Sequence, residues 1–197
     1  MFKKSLFTAS FVVIFFAALV ALNSYAIAAT PTETLKMTIE RTQKVFNDPV
    51  LSDEIKKNQV KKIAFGQFDF PEMSKRVLAR HWSKIDLVEQ KAFVDVFTEL
   101  LERVYFNQIK LIRDANFSYI GERVEGNFAI VRSKIVTAKG VEFEIEYHLF
   151  LINNAWKIYD IEIEGISLAA NYRAQFNKIL SRNTFNELLQ KMREKTQ

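Results

Sequence analysis

The stretch VEFEIEYHLFLINNAWKIYDIEIE, residues 141–164, decides the fold. Val141, Phe143, Ile145, Tyr147, Leu149 and Leu151 fall on alternate positions and share one face, while Glu142, Glu144, Glu146 and His148 share the other, because successive side chains of a strand point to opposite sides. The pattern predicts a strand over 141–152, with helices on its apolar face and water on its acidic face. A second run of period two follows over 156–164, and hydrophobic matching fixes its register. A three-residue loop, Asn153 to Ala155, sets Tyr159 opposite Leu149, Ile161 opposite Tyr147 and Ile163 opposite Ile145. A two-residue loop would carry Asp160 and Glu162 to the apolar face. The three-residue loop is therefore expected, and it leaves Phe150, Ile152, Trp156 and Ile158 together on the far face, where that end of the sheet needs a second cover.

Working upstream, two more period-two segments, 116–124 and 127–137, are joined by Glu125-Gly126 and connect to 141–152 through Lys139-Gly140. Connections this short permit only antiparallel neighbours, which gives a four-stranded meander. The Lys139-Gly140 turn admits two registers. Three glutamates and a histidine on one face raise the question of a metal site. Successive positions of that face lie roughly 6.6 Å apart, so neighbouring strands would have to complete the shell. Arg132 and Lys134 on the adjacent strand favour cross-strand ion pairs instead, and no metal is expected.

Further upstream the apolar period becomes helical. Thr32 to Asn47 carries Leu35, Ile39, Thr42, Val45 and Phe46 on one stripe and is stopped by Asp48-Pro49. Ser52 and Asp53 open a second helix whose Lys56, Lys57, Lys61 and Lys62 form either a solvated face or a contact for anionic head groups or a partner. Asp69 or Phe70, with Pro71, starts a third that runs toward His81-Trp82. Asp86, followed by Glu89, caps the longest, Leu87 to about Ile112. There Phe93, Val96, Phe97, Leu100, Leu101 and Val104 step by three and four, and the stripe then widens to take in Tyr105, Phe106, Ile109, Leu111 and Ile112. A helix end apolar on most sides is covered from several directions or lines something apolar. Downstream of Gly165 two helical pieces, Ser167 to Leu180 and Thr184 to about Lys195, close the chain. The fold class is thus α+β.

At the N-terminus Lys3-Lys4, an apolar run from Leu6 to Leu22, and Ala26-Ile27-Ala28 spell a secretory signal with cleavage expected after Ala28. A single domain over 29–197 remains. The formal charge falls from +5 to +3, since only Lys3 and Lys4 leave, which is short of a nucleic-acid-binding profile. With no cysteine, an exported chain is held by its core alone, and the periplasm is the expected compartment.

The order WK-x-YD from Trp156, EG-x-SL from Glu164 and NYR-x-QF from Asn171 resembles the MlaC family of periplasmic phospholipid-binding proteins, the toluene-tolerance type. Phe68-Asp69-Phe70 with Met73, His81-Trp82, and Phe93, Phe97, Leu100-Leu101 and Tyr105 extend the likeness over nearly the whole mature chain. The resemblance implies an NTF2-like cone with a deep apolar cavity, and it turns part of the aromatic load, 18 Phe and 6 Tyr, from plain core into cavity lining. The residues expected to line it are Phe97, Leu100, Leu101, Val104, Tyr105, Ile145, Tyr147, Leu149, Tyr159 and Ile161. Tyr172 and Arg173 match the family's NYR, with Arg173 either touching a lipid phosphate or a partner, or holding the closing helix. It further implies a phospholipid carrier that exchanges cargo with an outer-membrane lipoprotein–porin complex and an inner-membrane ABC transporter bearing an MCE-domain subunit, keeping the outer membrane asymmetric. A hopanoid or another lipid is the alternative cargo.

Nothing in the chain signals a nucleophile, a phosphate-binding glycine loop, a zinc motif or a thiol, and no catalytic residue or cofactor is expected. Enzymes on cones of this kind use a carboxylate base inside. An acid on the apolar face would mark that alternative.

Overall fold

In the computed structural model, which describes residues 29–195, the elements run α1 (Pro31–Phe46), α2 (Asp53–Ala64), α3 (Phe70–Leu78), α4 (Leu87–Ile109), β1 (Asn116–Glu125), β2 (Phe128–Val136), β3 (Glu142–Ile152), β4 (Ala155–Ile163), β5 (Ile166–Ser167), α5 (Leu168–Leu180) and α6 (Phe185–Glu194). The signal segment expected at 1–28 lies outside the described residues. Among the described residues no helix is long and apolar enough to cross a membrane.

Helix starts are written locally. Thr30 with Glu33, Asp86 with Glu89 and Thr184 with Glu187 form reciprocal capping boxes at α1, α4 and α6, each pairing two backbone N–H groups that a helix start leaves unpartnered. Asp69 caps α3 by accepting from the Glu72 N–H at 2.8 Å, and Ser167 caps α5. The long helix ends at Ile109, and the expected extension to Ile112 tightens into a 3-10 turn.

The sheet is an antiparallel meander in sequence order with five strands rather than the four expected. The fifth is only Ile166-Ser167, folded back on Ile163 and Glu162 after a turn in which Glu164 and Gly165 both have positive φ. Two residues are too few to show a period. Between β2 and β3, Val131 faces Tyr147 and Ile135 faces Phe143, which resolves the ambiguous turn.

The last hairpin corrects the expected register. Ile163 lies opposite Ile145 and Ile161 opposite Tyr147, as hydrophobic matching requires. The loop, however, has two residues: Asn153 and Asn154 take φ of 49° and 60°, the paired left-handed geometry of a tight hairpin turn that asparagine tolerates. Tyr159 is left unpaired in a β-bulge, so Ile158, not Tyr159, faces Leu149. The extra residue restores the parity that the short loop would have broken. Trp156 and Ile158 are consequently buried beside Leu149 and Leu151 rather than grouped with Phe150 on the far face.

Three apolar clusters result. The largest joins α3, α4, α5 and α6 around Phe93, Phe97 and Phe176. A second packs Leu35 of α1 on Val131, Tyr147, Leu149 and Ile158 of the sheet. A third, smaller one holds Val60, Phe65 and Phe106. At the open edge of β4 the main chain of Phe68-Asp69 pairs with Ile158, the Asp69 N–H donating to its carbonyl at 2.8 Å, which covers an edge that would otherwise template association.

Candidate functional site

The three clusters do not fill the space between them. A cavity of about 370 Å³ remains, walled by Leu35 and Ile39 of α1, Phe65, Phe68 and Phe70 around the start of α3, the second half of α4, and the inner face of β3 and β4, with Leu168 of α5. Among the described residues no carboxylate, histidine, lysine or arginine borders it.

Most of its few polar side chains are turned to partners in the wall, Gln108 at the exposed margin of α4 apart. The Thr38 and Thr42 hydroxyls donate to the carbonyls of Thr34 and Thr38 at 2.9 and 2.8 Å, the bond a threonine makes one turn back along its own helix. Gln67 donates to the Trp156 carbonyl at 2.5 Å. The Tyr105 and Tyr172 hydroxyls are hydrogen bonded to one another, and burial lifts both phenols above their ordinary range. Burial likewise pushes Tyr147 well up, so these groups stay neutral at physiological pH. Where its hydroxyls and the Gln67 amide are so engaged, the wall presents hydrocarbon to whatever occupies it.

Five of the residues expected to line a cavity come together here: Leu101, Tyr105, Ile145, Tyr147 and Ile161. Five others are placed elsewhere. Phe97 and Leu100 belong to the closed helical cluster and Leu149 to the sheet cluster, because neighbouring elements press onto them directly. Val104 is 40% exposed, turned outward where the widened stripe of α4 passes the cavity's edge. Tyr159, displaced by the bulge, lies on the outer side, its ring 3.9 Å from the Arg76 guanidinium and 6.2 Å from Phe128. Tyr172 is buried against Phe97, centroids 5.3 Å apart. The Arg173 Nε–H donates to the Arg76 carbonyl at 2.8 Å, so Arg173 ties α5 to the end of α3, away from the cavity.

The sequence reading missed Leu35, Ile39, Phe65, Phe68, Phe70, Ile109, Phe143 and Ile163 as wall residues. Their apolar spacing was visible. Nothing in one dimension says which apolar side chains are met by a neighbour and which by a void.

On the outer sheet face Lys134 pairs with Glu142 at 2.5 Å, as the cross-strand reading expects. Arg132 lies instead across Gly121 of β1, where a Cβ would come within 3.1 Å of its guanidinium. His148 Nε2 sits 3.2 Å from Glu146 Oε1 and 3.8 Å from Glu162 Oε2. These three side chains, one of them from β4, have ligand atoms within 4.8 Å of one another, a spacing that could hold a metal ion. The cluster faces away from the cavity.

An α+β chain whose sheet and helices wall an uncharged cavity belongs with proteins built around an apolar interior space. The MlaC protein family model matches residues 36–194, and the chain belongs to that family. Its structure is similar to that of a phospholipid-binding protein from Ralstonia solanacearum, solved in complex with a phospholipid, with a TM-score of 0.75 and 26% sequence identity over 85% of this chain and 97% of that one. No curated protein matches the chain in sequence.

Proposed function

We propose that the protein is a soluble phospholipid carrier of the periplasm, taking the acyl chains of its cargo into the cavity between α1, α4 and the sheet. The observation that carries this reading is the cavity wall itself, which among the described residues has no charged side chain and whose Thr38, Thr42 and Tyr105 hydroxyls are already bonded. Family membership and the phospholipid bound by the Ralstonia solanacearum relative support the choice of ligand. Keeping the two chains of a phospholipid out of water, about 30 methylenes at ~0.8 kcal/mol each, is worth at most about 24 kcal/mol. Lipid in such a cavity is far more stable than lipid free in water while remaining exchangeable with a bilayer, as a shuttle requires. In this reading the N-terminal signal delivers the chain to the periplasm. Cargo passes between an outer-membrane lipoprotein–porin complex and an inner-membrane MCE-domain ABC transporter, which keeps the outer membrane asymmetric, and the sheet and helices form the NTF2-like cone. The placement of the two β4 acids favours the carrier over the enzyme alternative: Glu162 faces outward beside His148, and Asp160 is engaged at the start of α5, accepting from Ala169 N–H at 2.9 Å and from the Ser167 hydroxyl at 2.5 Å.

Native mass spectrometry of the gently purified periplasmic protein tests the proposal. A mass shift of one phospholipid, regained from vesicles after stripping, is expected. Protein that emerges lipid-free and accepts none overturns it.

A further inference from the structure

A second cavity, about 970 Å³, adjoins the apolar one and shares Leu111 and Phe143 with it. Its walls come from the start of α2, the end of α4 with the 3-10 turn beyond, and the loop joining β2 to β3. Its chemistry differs. Lys56, Lys57, Lys110, Arg113 and Lys139 border it against Asp53, Glu54 and Asp114, and Asp114 is already bound to Arg113 at 2.7 Å. Lys57 and Lys110 arrive from separate elements, yet their ammonium groups stand 5.9 and 5.2 Å from the centroid of one buried ring, Phe106, whose face attracts both. The basic run of α2 is thereby divided. Lys61 is bonded to Glu102 at 2.9 Å, whereas Lys56 and Lys57 turn to the vestibule.

We infer that this vestibule is the seat of the cargo's phosphate, with Lys57, Lys110 and Lys139 as its cationic donors. The inference rests on the carrier reading and adds a selectivity to it. A phospholipid is an anion covalently joined to hydrocarbon, and its phosphate emerges where the apolar wall ends. Here the apolar wall ends, at Leu111 and Phe143, on a concave surface with an excess of positive charge. Ammonium–phosphate hydrogen bonds are charge-assisted and stronger than neutral ones. They contribute nothing to a lipid of the same chains without phosphate, nor to an uncharged polycyclic lipid. The pair of cavities thus discriminates by two features at once, hydrocarbon length in one and anionic charge in the other.

The test uses the mature chain stripped of lipid, in three forms: wild type, the vestibule variant Lys57→Gln/Lys110→Gln/Lys139→Gln, and a charge-matched control, Lys62→Gln/Lys178→Gln/Lys191→Gln, at exposed positions outside the vestibule. Each is titrated with dioleoylphosphatidylglycerol and with dioleoylglycerol in nonionic micelles. The vestibule variant should bind the phosphatidylglycerol about tenfold more weakly and dioleoylglycerol as wild type does, with the control unchanged for both. Equal phosphatidylglycerol affinity in vestibule variant and wild type, or an equal loss in the control, overturns the assignment. Inorganic phosphate, followed by phosphorus NMR line broadening, separates the two sources of the anion. If the vestibule lysines bind it while their removal leaves lipid affinity intact, the site is one for free phosphate and the head-group assignment falls. A wild type that binds neither lipid overturns the carrier reading, and this assignment with it.

Discussion

The two halves of α4 carry the same kind of side chain to opposite ends. In the first half Phe93 and Phe97 stack at 5.6 Å and Phe176 meets both edge-on at 5.7 and 5.9 Å, so rings from α5 fill the space they face. In the second half Leu101, Tyr105 and Ile109 face α1 and the sheet across a gap. The difference lies not in the hydrophobicity of the stripe but in what the opposing elements deliver. Two helices press aromatic volume onto one half, while the middle of α1, from Leu35 to Thr42, and the bulged strand β4 stay apart over the other. A closed core and a binding cavity are thus made from one helix.

The comparison can be broken most forcefully in the closed half. Phe97→Ala should cost about 3–5 kcal/mol of unfolding free energy, because the ring cluster cannot collapse around the space left, while the molecules that remain folded keep their lipid. Urea melts paired with lipid counts check this. A stable variant that has lost lipid would mean that the first half lines the cavity too.

A paired substitution sharpens the boundary on the sheet. Leu149→Trp adds volume to a fully buried site in the sheet cluster and should destabilise by about 1–3 kcal/mol without emptying the cavity. Ile161→Trp, on the wall, should shift unfolding by less than about 1 kcal/mol and lower lipid occupancy. The same two measurements decide it, and reversed results for the two variants would move the boundary to the other side of Tyr147.

The smallest expected effect is a pH slope. Tyr147 is buried on the wall and its phenol is pushed above the ordinary value of 10.0, so the unfolded chain loses that proton before the folded one does. Its contribution is fully present below pH 10 and is lost as pH rises beyond it, at up to about 1.4 kcal/mol per pH unit. Tyr147→Phe should flatten the fall in unfolding free energy between about pH 10 and 11.5. An unchanged slope would show that water already reaches the hydroxyl and that the wall is wet.

Much of the fold was legible in the chain because its signals are local. Thr30, Asp86 and Thr184 each stand three residues before a glutamate, and Phe143, Ile145, Tyr147 and Leu149 keep strict alternation. Two local signals conflicted at Asn153-Asn154. The dipeptide favours a two-residue turn, and the apolar match beyond it demands three, so choosing one register for the whole strand had to fail when a bulge serves both. Arg173 was open between lipid and scaffold because an arginine's sequence position does not reveal that a carbonyl of α3 waits for it. The split of Phe97, Leu100 and Leu149 from Leu101, Tyr105 and Tyr147 was not legible either, since both sets obey the same periodicities and only the third dimension separates them.

Tyr159 can also be viewed as an insertion. Ordinarily one residue added to a strand sends every later side chain to the wrong face. Here Ile158 pairs with Leu149 before it and Ile161 with Tyr147 after it, so removing this one residue would turn β4 into an uninterrupted partner of β3 with the same inward set. The interior of the hairpin is therefore encoded independently of the residue that bends it. The bend and its outward ring against Arg76 can change length or chemistry while the inner wall keeps its composition.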